Sequence, residues 1–386
     1  MIRPMNTQQA YLDYQATTPL DPRVRDAMLP YLGDHFGNPH SINHAYGWQA
    51  ADAVRSARGQ VAEFIGADDD EVVFTSGATE SCNLAIRGSA MATTGGRNKV
   101  ISVATEHPAV LETVRGIGYE RNEVTILPVG PDGLVDLADI EQAVDDHTVL
   151  VSIMAANNEI GVLQPLAEIA RLCRARGALF HTDATQAAGR IDIDVDRWGV
   201  DLLSLSAHKV YGPKGIGALY VRSGVPIRPV VTGGGQENGL RPGTVPAPLV
   251  VGFGMASRIA SEQWEEDADR MSQLSVRLLG GIQRACPSVS LFGHPKRRLP
   301  GSLNMGIPGV PADEVIEIVA DSIAISTGSA CSSATAEPSK VLLALGLDPE
   351  TAATAFRISL GRFTSDGEID TAINALSNVA AIAGRT

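Results

Sequence analysis

Short apolar runs alternate with stretches of helical apolar spacing along most of this chain. Val149 to Ala155 is followed by the helical spacing of Leu166 to Arg176, and that by the apolar run Ala178 to His181. Between about residues 70 and 230 this alternation predicts an α/β fold, a mainly parallel sheet with helices on both faces. A helical pattern ends near Gly66, and the acidic run Asp68-Asp69-Asp70-Glu71 before the strand Val72-Val73-Phe74 reads as a solvated turn. A long helical stretch then runs from about Val250 to Arg284, after which strand and helix patterns resume with Leu303 to Gly306, Val315 to Ala320 and Phe356 to Leu360. The expected organisation is an N-terminal arm over 1–20, a large domain over 21–255 and a smaller α+β domain over 256–386. The arm is expected to pack beside the small domain.

Length and composition narrow the classes. A chain of 386 residues exceeds what one core usually supports, and its 44% apolar share is ample for a packed interior. No run approaches the roughly 18 apolar residues of a membrane span, and Met1 to Pro19 lacks the basic start and apolar stretch of a secretory signal. A cytoplasmic protein without a membrane partner is expected. With a net charge of −13 and no Lys/Arg cluster, direct nucleic-acid binding is not expected. The four cysteines, Cys82, Cys173, Cys286 and Cys331, form no C-x-x-C pair and suit neither a disulfide framework nor a zinc site.

The chemistry concentrates where strands end. Val72 to Thr75 runs into Ser76-Gly77-Ala78-Thr79-Glu80, Val100 to Val103 into Thr105-Glu106-His107, and Val149 to Met154 into Asn157-Asn158-Glu159. Leu179 to His181 runs into Asp183-Ala184-Thr185-Gln186, and Leu202 to Leu205 into Ser206-Ala207-His208-Lys209. Ligands of open parallel sheets bind outside the carboxyl ends of the strands, so five such ends would converge on one cleft. A poorly solvated lysine at such an end has a depressed pKa and an available amine, as Schiff-base chemistry requires. Lys214, beside Gly and Pro, reads as an ordinary loop lysine. Ser76 to Thr79 would offer backbone N–H groups to a phosphate at a helix start, although small residues there are also common caps. Asp183, if buried and ionised, could hold a protonated ring nitrogen, and Gln186 a ring substituent; alone, Asp183 reads as a turn residue. His107 could stack on a ring or move protons, though a lone histidine is more often structural. The glycine-rich nucleotide fingerprints, H-E-x-x-H and G-x-S-x-G are all missing from the sequence.

Taken together, Thr75-Ser76-Gly77-Ala78-Thr79-Glu80-Ser81, Thr105-Glu106-His107, Asn157-Asn158-Glu159-Ile160-Gly161, Asp183-Ala184-Thr185-Gln186 and His208-Lys209 closely resemble the cysteine desulfurases. These are fold-type I pyridoxal-phosphate enzymes of the class V aminotransferase group. The resemblance extends from Tyr11 to Pro19 and Phe36-Gly37-Asn38-Pro39 to Arg357-Ile358-Ser359-Leu360-Gly361-Arg362. It implies a large domain with a mainly parallel seven-stranded sheet, pyridoxal 5′-phosphate as cofactor, and conversion of L-cysteine to L-alanine. It further implies Lys209 as the lysine that carries the cofactor and later the proton, Asp183 on the pyridine nitrogen, Gln186 on the ring hydroxyl and His107 over the ring. Ala78, Thr79, Ser206 and His208 would hold the phosphate, with Thr244 reaching across a homodimer interface. Arg357, with Asn38 and Asn158, would receive the substrate carboxylate.

Within that resemblance Cys331 is the expected sulfur carrier. Its Ser-, Gly- and Ala-rich surroundings favour a mobile loop, from which one thiolate could visit both the cleft and an outside acceptor. Cys173, with Leu166 and Ile169 at helical spacing, reads as a buried small apolar residue, as do Cys82 and Cys286. The implied partners are L-cysteine and a sulfur-acceptor protein for iron–sulfur assembly, tRNA thiolation or DNA modification. Two other readings stay open: a related lyase or aminotransferase, such as a selenocysteine lyase, that needs no enzyme persulfide, and an idle sulfur-carrier subunit. Ala207, Cys82 and Ala155-Ala156 depart from the residues usual in the family, and the chain stops at Thr386, short of the tail with which iron–sulfur members dock a scaffold.

Overall fold

The computed structural model describes residues 9–93, 95–120, 122–327 and 338–383. The short strand β1 (Ala10–Tyr11) is followed by seven strands that form the central sheet: β2 (Val72–Thr75), β3 (Lys99–Val103), β4 (Glu123–Leu127), β5 (Thr148–Ser152), β6 (Leu179–Asp183), β7 (Leu202–Ser206) and β8 (Gly217–Val221). Their order across the sheet is β2-β8-β7-β6-β5-β3-β4, and only β8 runs antiparallel to its neighbours. Strands covered on both faces have no polar side to show, and β2, β3, β5 and β7 are buried at every position.

Helices α1 (Pro22–Leu32), α2 (Ala45–Ile65), α3 (Ala78–Ala92), α4 (Pro108–Gly118), α5 (Leu137–Ala143), α6 (Leu166–Ala175) and α7 (Val195–Trp198) surround the sheet. Helix α6 shows why the pattern was readable: Leu166, Ile169, Ala170 and Cys173 fall on one face and are buried. Helix α2 stops at Gly66, whose φ of 68° is the left-handed conformation that ends many helices.

Helix α8 (Ala247–Ala285) is 39 residues long, about 58 Å at 1.5 Å per residue. Its first half places Val250, Phe253, Ala256 and Ile259 in the sheet's core with Phe74 and Val61. Its second half places Met271, Leu274, Leu278 and Ile282 in a separate core. That second core includes residues of β10 (Ser302–Gly306), which pairs with β9 (Ser290–Leu291) and β12 (Ala355–Ser359), and of α9 (Ala312–Val319) and α12 (Asp366–Ala383). The two cores meet along a continuous helix, not a flexible linker. Strand β11 (Ile323–Ala324) pairs in parallel with β1, so the N-terminal arm lies on the second core. The short helices α10 (Lys340–Ala344) and α11 (Pro349–Ala353) precede β12.

No helix among the described residues is long and apolar enough to cross a membrane.

Candidate active site

The carboxyl ends of β2, β3, β5, β6 and β7 open into one cleft of about 710 Å³, lined also by the arm at Gln15 to Thr17 and by Arg357 of β12. Lys209 closes a 3₁₀ turn, Ala207–Lys209, directly after β7. The turn is tight: Gly212 N–H donates to Ala207 O at 2.9 Å, and a Cβ on Gly212 would stand only 2.8 Å from that oxygen. The arm clamps the turn from outside, with Thr18 N and Oγ1 both donating to His208 O at 3.0 Å. The Lys209 amine donates to the main-chain oxygens of Gln15 and, at 2.9 Å, Ala16. Gln186 Nε2 donates to the same Gln15 oxygen at 3.0 Å, so one carbonyl fixes two candidate side chains.

Asp183 ends β6 as a buried carboxylate. Its Oδ1 accepts Thr185 N–H at 2.9 Å, and the Cys82 thiol of α3 lies 3.8 Å from Oδ2. His107 caps α4 by accepting Ala109 N–H on Nδ1 at 3.1 Å, which leaves the ring hydrogen on Nε2, and burial lowers its pKa. Beside it Glu106 is fully buried: burial pushes its carboxyl well up, one oxygen accepts Met154 N–H at 2.5 Å, and Oε2 has no protein partner.

A candidate anion cradle forms where α3 begins. Gly77 takes the N-cap position without a side-chain cap, Glu80 accepts Ser76 N–H at 2.5 Å, and the amides of Ala78 and Thr79 belong to the first turn, which has no intrahelical acceptor. Ser206 and His208 line the cleft with them. Burial, with the Lys209 and Lys214 charges, drives the His208 pKa down to about 4, so the imidazole is neutral near pH 7. Thr17 Oγ1 lies 3.0 Å from its Nδ1; if that hydroxyl donates, Nε2–H is available to an anion. Arg241 donates to Glu80 at 2.9 Å and ties the cradle to the loop that continues to Thr244.

Arg357 is buried at 2% exposure yet lines the cleft. Its Nη1 donates to Asn158 O at 2.7 Å and its Nη2 to Asp13 Oδ1 at 2.6 Å. Asn38 and Thr244 are exposed and are not among the cleft's lining residues in this single chain. Cys331 lies outside the described residues; Pro338, Ser339, Lys340 and Val341, just after it in sequence, line the cleft. Cys82, Cys173 and Cys286 are all buried and unpaired. Lys214, read from sequence as an ordinary loop lysine, is exposed but stands at the cleft's edge.

The residues present fit a phosphorylated aromatic aldehyde. An uncapped helix start suits the phosphate, a buried carboxylate a ring nitrogen, and an amine at a strand end the aldehyde. Gln15, Thr185 and Glu106 line the cleft, and each keeps one buried polar atom, Nε2, Oγ1 and Oε2, without a protein partner. Sequence reasoning passed over Gln15 and Asp13. Gln15 acts partly through its carbonyl, for which no side-chain signal exists; the stretch Tyr11 to Pro19 was part of the family resemblance, but it assigned neither residue a role.

Residues 10–371 match the family model of the class-V aminotransferases. The chain is 50% identical over 370 residues to a cysteine desulfurase IscS of Rickettsia rickettsii, covering 95% of this chain and 90% of the relative. Among solved structures, a NifS-like protein superposes with a TM-score of 0.91 at 35% identity, covering 97% of this chain and all of that one. SspA in complex with cysteine gives 0.82 at 37% identity, covering 92% of this chain and all of that one.

Proposed function

The chain belongs to the class-V aminotransferase family and is a cysteine desulfurase, and from that premise we propose that it seats pyridoxal 5′-phosphate at Lys209 and converts L-cysteine to L-alanine in the cytoplasm. Cys331 takes the substrate sulfur as a persulfide and passes it to an acceptor protein for iron–sulfur cluster assembly or another thiolation pathway. The observation that carries this reading is the meeting of Lys209, Asp183 and the uncapped start of α3 in one cleft with Arg357.

When bound, pyridoxal phosphate supplies an electron sink that loosens the Cα proton and the C–S bond of an attached amino acid. Lys209 would hold the aldehyde carbon, and its amine, borne on the 3₁₀ turn at the end of β7, would carry the substrate's Cα proton. Asp183 would hold the pyridine nitrogen, Gln186 the ring hydroxyl and His107 would lie over the ring. The Ala78 and Thr79 amides, Ser206 and His208 would hold the phosphate, while Arg357 and Asn158 would hold the substrate carboxylate. The Cys331 thiolate attacks the substrate sulfur; the S–S bond forms as C–S breaks, and the electron pair left on carbon takes a proton to give alanine.

Asn38 and Thr244 come to the site in a homodimer. The stretch 29–48 supports this, because Leu29, Leu32, Phe36, Ile42, Tyr46 and Trp48 are each more than half exposed, with Phe36 and Tyr46 stacked.

Cys331→Ser tests the reading. It should retain the cofactor while losing both the persulfide, read by mass spectrometry, and L-cysteine-dependent alanine formation; Cys173→Ser should keep both. Alanine release at the wild-type rate from Cys331→Ser would replace the persulfide route with a lyase.

A further inference from the structure

Two residues after Lys209, the buried Tyr211 has a φ of +64°, a steric outlier for so bulky a side chain. The turn explains the conformation but not the residue. Gly212 N–H donates to Ala207 O at 2.9 Å, a Schellman closure over the turn Ala207–Lys209, and such a closure puts the residue before its donor in the left-handed region. Glycine fills the left-handed position at the ends of α2 and α7, at Gly66 and Gly199. A tyrosine carries strain there that glycine would not, and it persists only where the surroundings over-determine it.

Tyr211 is gripped from two directions. The hydroxyl of Thr18 in the arm bridges the turn, accepting Tyr211 N–H at 2.9 Å and donating to His208 O at 3.0 Å, and Tyr211 O accepts Asp21 N–H at 3.0 Å. From just beyond β12, Arg362 N–H donates to the phenol oxygen at 2.5 Å, the Arg362 guanidinium lies 4.5 Å over the ring, and Phe363 meets the ring edge-on at 5.4 Å. Arg362 is itself fixed by Asp267 of α8 at 2.7 Å and by Asp21 at 3.2 Å. The side chain of Tyr211 thus joins the turn of Lys209 to the segment that follows the strand of Arg357. Lys209 and Arg357 stand on different cores, yet they act on one amino acid, Arg357 at its carboxylate and Lys209 at its Cα.

We propose that Tyr211 is a positioning residue, whose side chain holds a strained turn against the second core and so sets Lys209 in register with Arg357 on the bound substrate. The backbone conformation aims the lysine, and the ring fixes where the aimed lysine stands relative to the carboxylate site. Misplacement by even 1 Å or so would separate the amine from the proton it moves. The inference rests on the roles given to Lys209 and Arg357 above.

Glycine separates the turn from the tie. Tyr211→Gly accepts the left-handed φ without strain, so the holoenzyme's visible band, its pH midpoint and the cofactor dissociation constant should match wild type. With the ring gone, kcat/KM for L-cysteine should fall about tenfold or more, and so should exchange of the L-alanine Cα proton with heavy water, followed by NMR. That exchange reads the alignment of Lys209 and Arg357 without Cys331. Tyr211→Ala keeps the strain and loses the tie, so it should in addition bind the cofactor about tenfold more weakly. Tyr211→Phe, which retains the ring beneath Arg362, should recover part of the lost exchange. Phe363→Ala, a change to a half-exposed side chain on the other side of the contact, should lower exchange less than Tyr211→Gly and leave the cofactor band unchanged. Wild-type exchange in folded, cofactor-loaded Tyr211→Gly or Phe363→Ala would overturn the inference alone. So would equal cofactor affinity in the Ala and Gly variants, or no recovery in Tyr211→Phe. A wild-type protein that takes up no cofactor would overturn the site reading and this inference with it.

Discussion

Arg357 donates to Asp13 Oδ1 at 2.6 Å, a bond that joins the strand of the second core to the N-terminal arm at the floor of the cleft. The guanidinium is almost wholly buried, so the carboxylate beside it offsets a charge that is largely removed from water. Asp13→Ala should lower the unfolding free energy by about 3 kcal/mol, measured by urea denaturation, because it removes one partner of a buried pair. A loss below about 1 kcal/mol would mean that Arg357 is held by Asn158 and its other neighbours alone. Arg357→Lys, which lacks the planar fork, should raise the KM for L-cysteine about tenfold while leaving the cofactor spectrum unchanged.

Gly77 offers a second test. Its φ of +151° is a conformation that side chains rarely adopt, and an added Cβ would stand 3.7 Å from Ser206 Oγ at the cradle. Gly77→Ala should weaken cofactor affinity about tenfold, consistent with one to a few kcal/mol of backbone strain at the anion site. Equilibrium dialysis showing unchanged affinity would place the phosphate elsewhere.

The cleft's main outline was legible in the sequence, for a physical reason. Strands β2, β3, β5, β6 and β7 are largely apolar runs that end in polar residues, and parallel strands put those ends on one side of the sheet. The antiparallel course of β8 was not legible, because side-chain alternation does not encode strand direction. Nor was the role of Gln15, whose carbonyl holds Lys209 and Gln186 from nearly two hundred residues away in sequence. Cys82 read as a small apolar residue, which its burial matches; its contact with Asp183 arises where α3 packs against β6 and β7.

Acid should destabilise the fold through His181. Its folded pKa is about 4 against an ordinary value of about 6.5, so the unfolded chain binds the extra proton. Its contribution to stability is full above pH 6.5, shrinks as pH falls toward 4 and is level below. The loss over that window is about 3 kcal/mol at most. His181→Asn should flatten the stability profile between pH 6.5 and 4 relative to wild type, as followed by urea unfolding at several pH values. Parallel profiles would show that His181 is not buried neutral.

Thr244 makes the dimer testable. Mixing Lys209→Ala with Thr244→Ala chains should yield hybrid dimers in which one site has both an intact lysine and a partner's intact threonine. That site should recover cofactor affinity relative to the Thr244→Ala homodimer. If subunits exchange and affinity does not recover, Thr244 serves its own chain or no site at all.

Among the described residues three lysines, Lys209, Lys214 and Lys340, line the cleft. Borohydride reduction of the holoenzyme, followed by peptide mapping, asks which of them carries the cofactor. The account predicts a pyridoxyl label on Lys209 alone, absent from Lys209→Ala although that variant still binds pyridoxal phosphate reversibly. A label on Lys214 or Lys340 in the wild-type protein, or an undiminished adduct in Lys209→Ala, would contradict it.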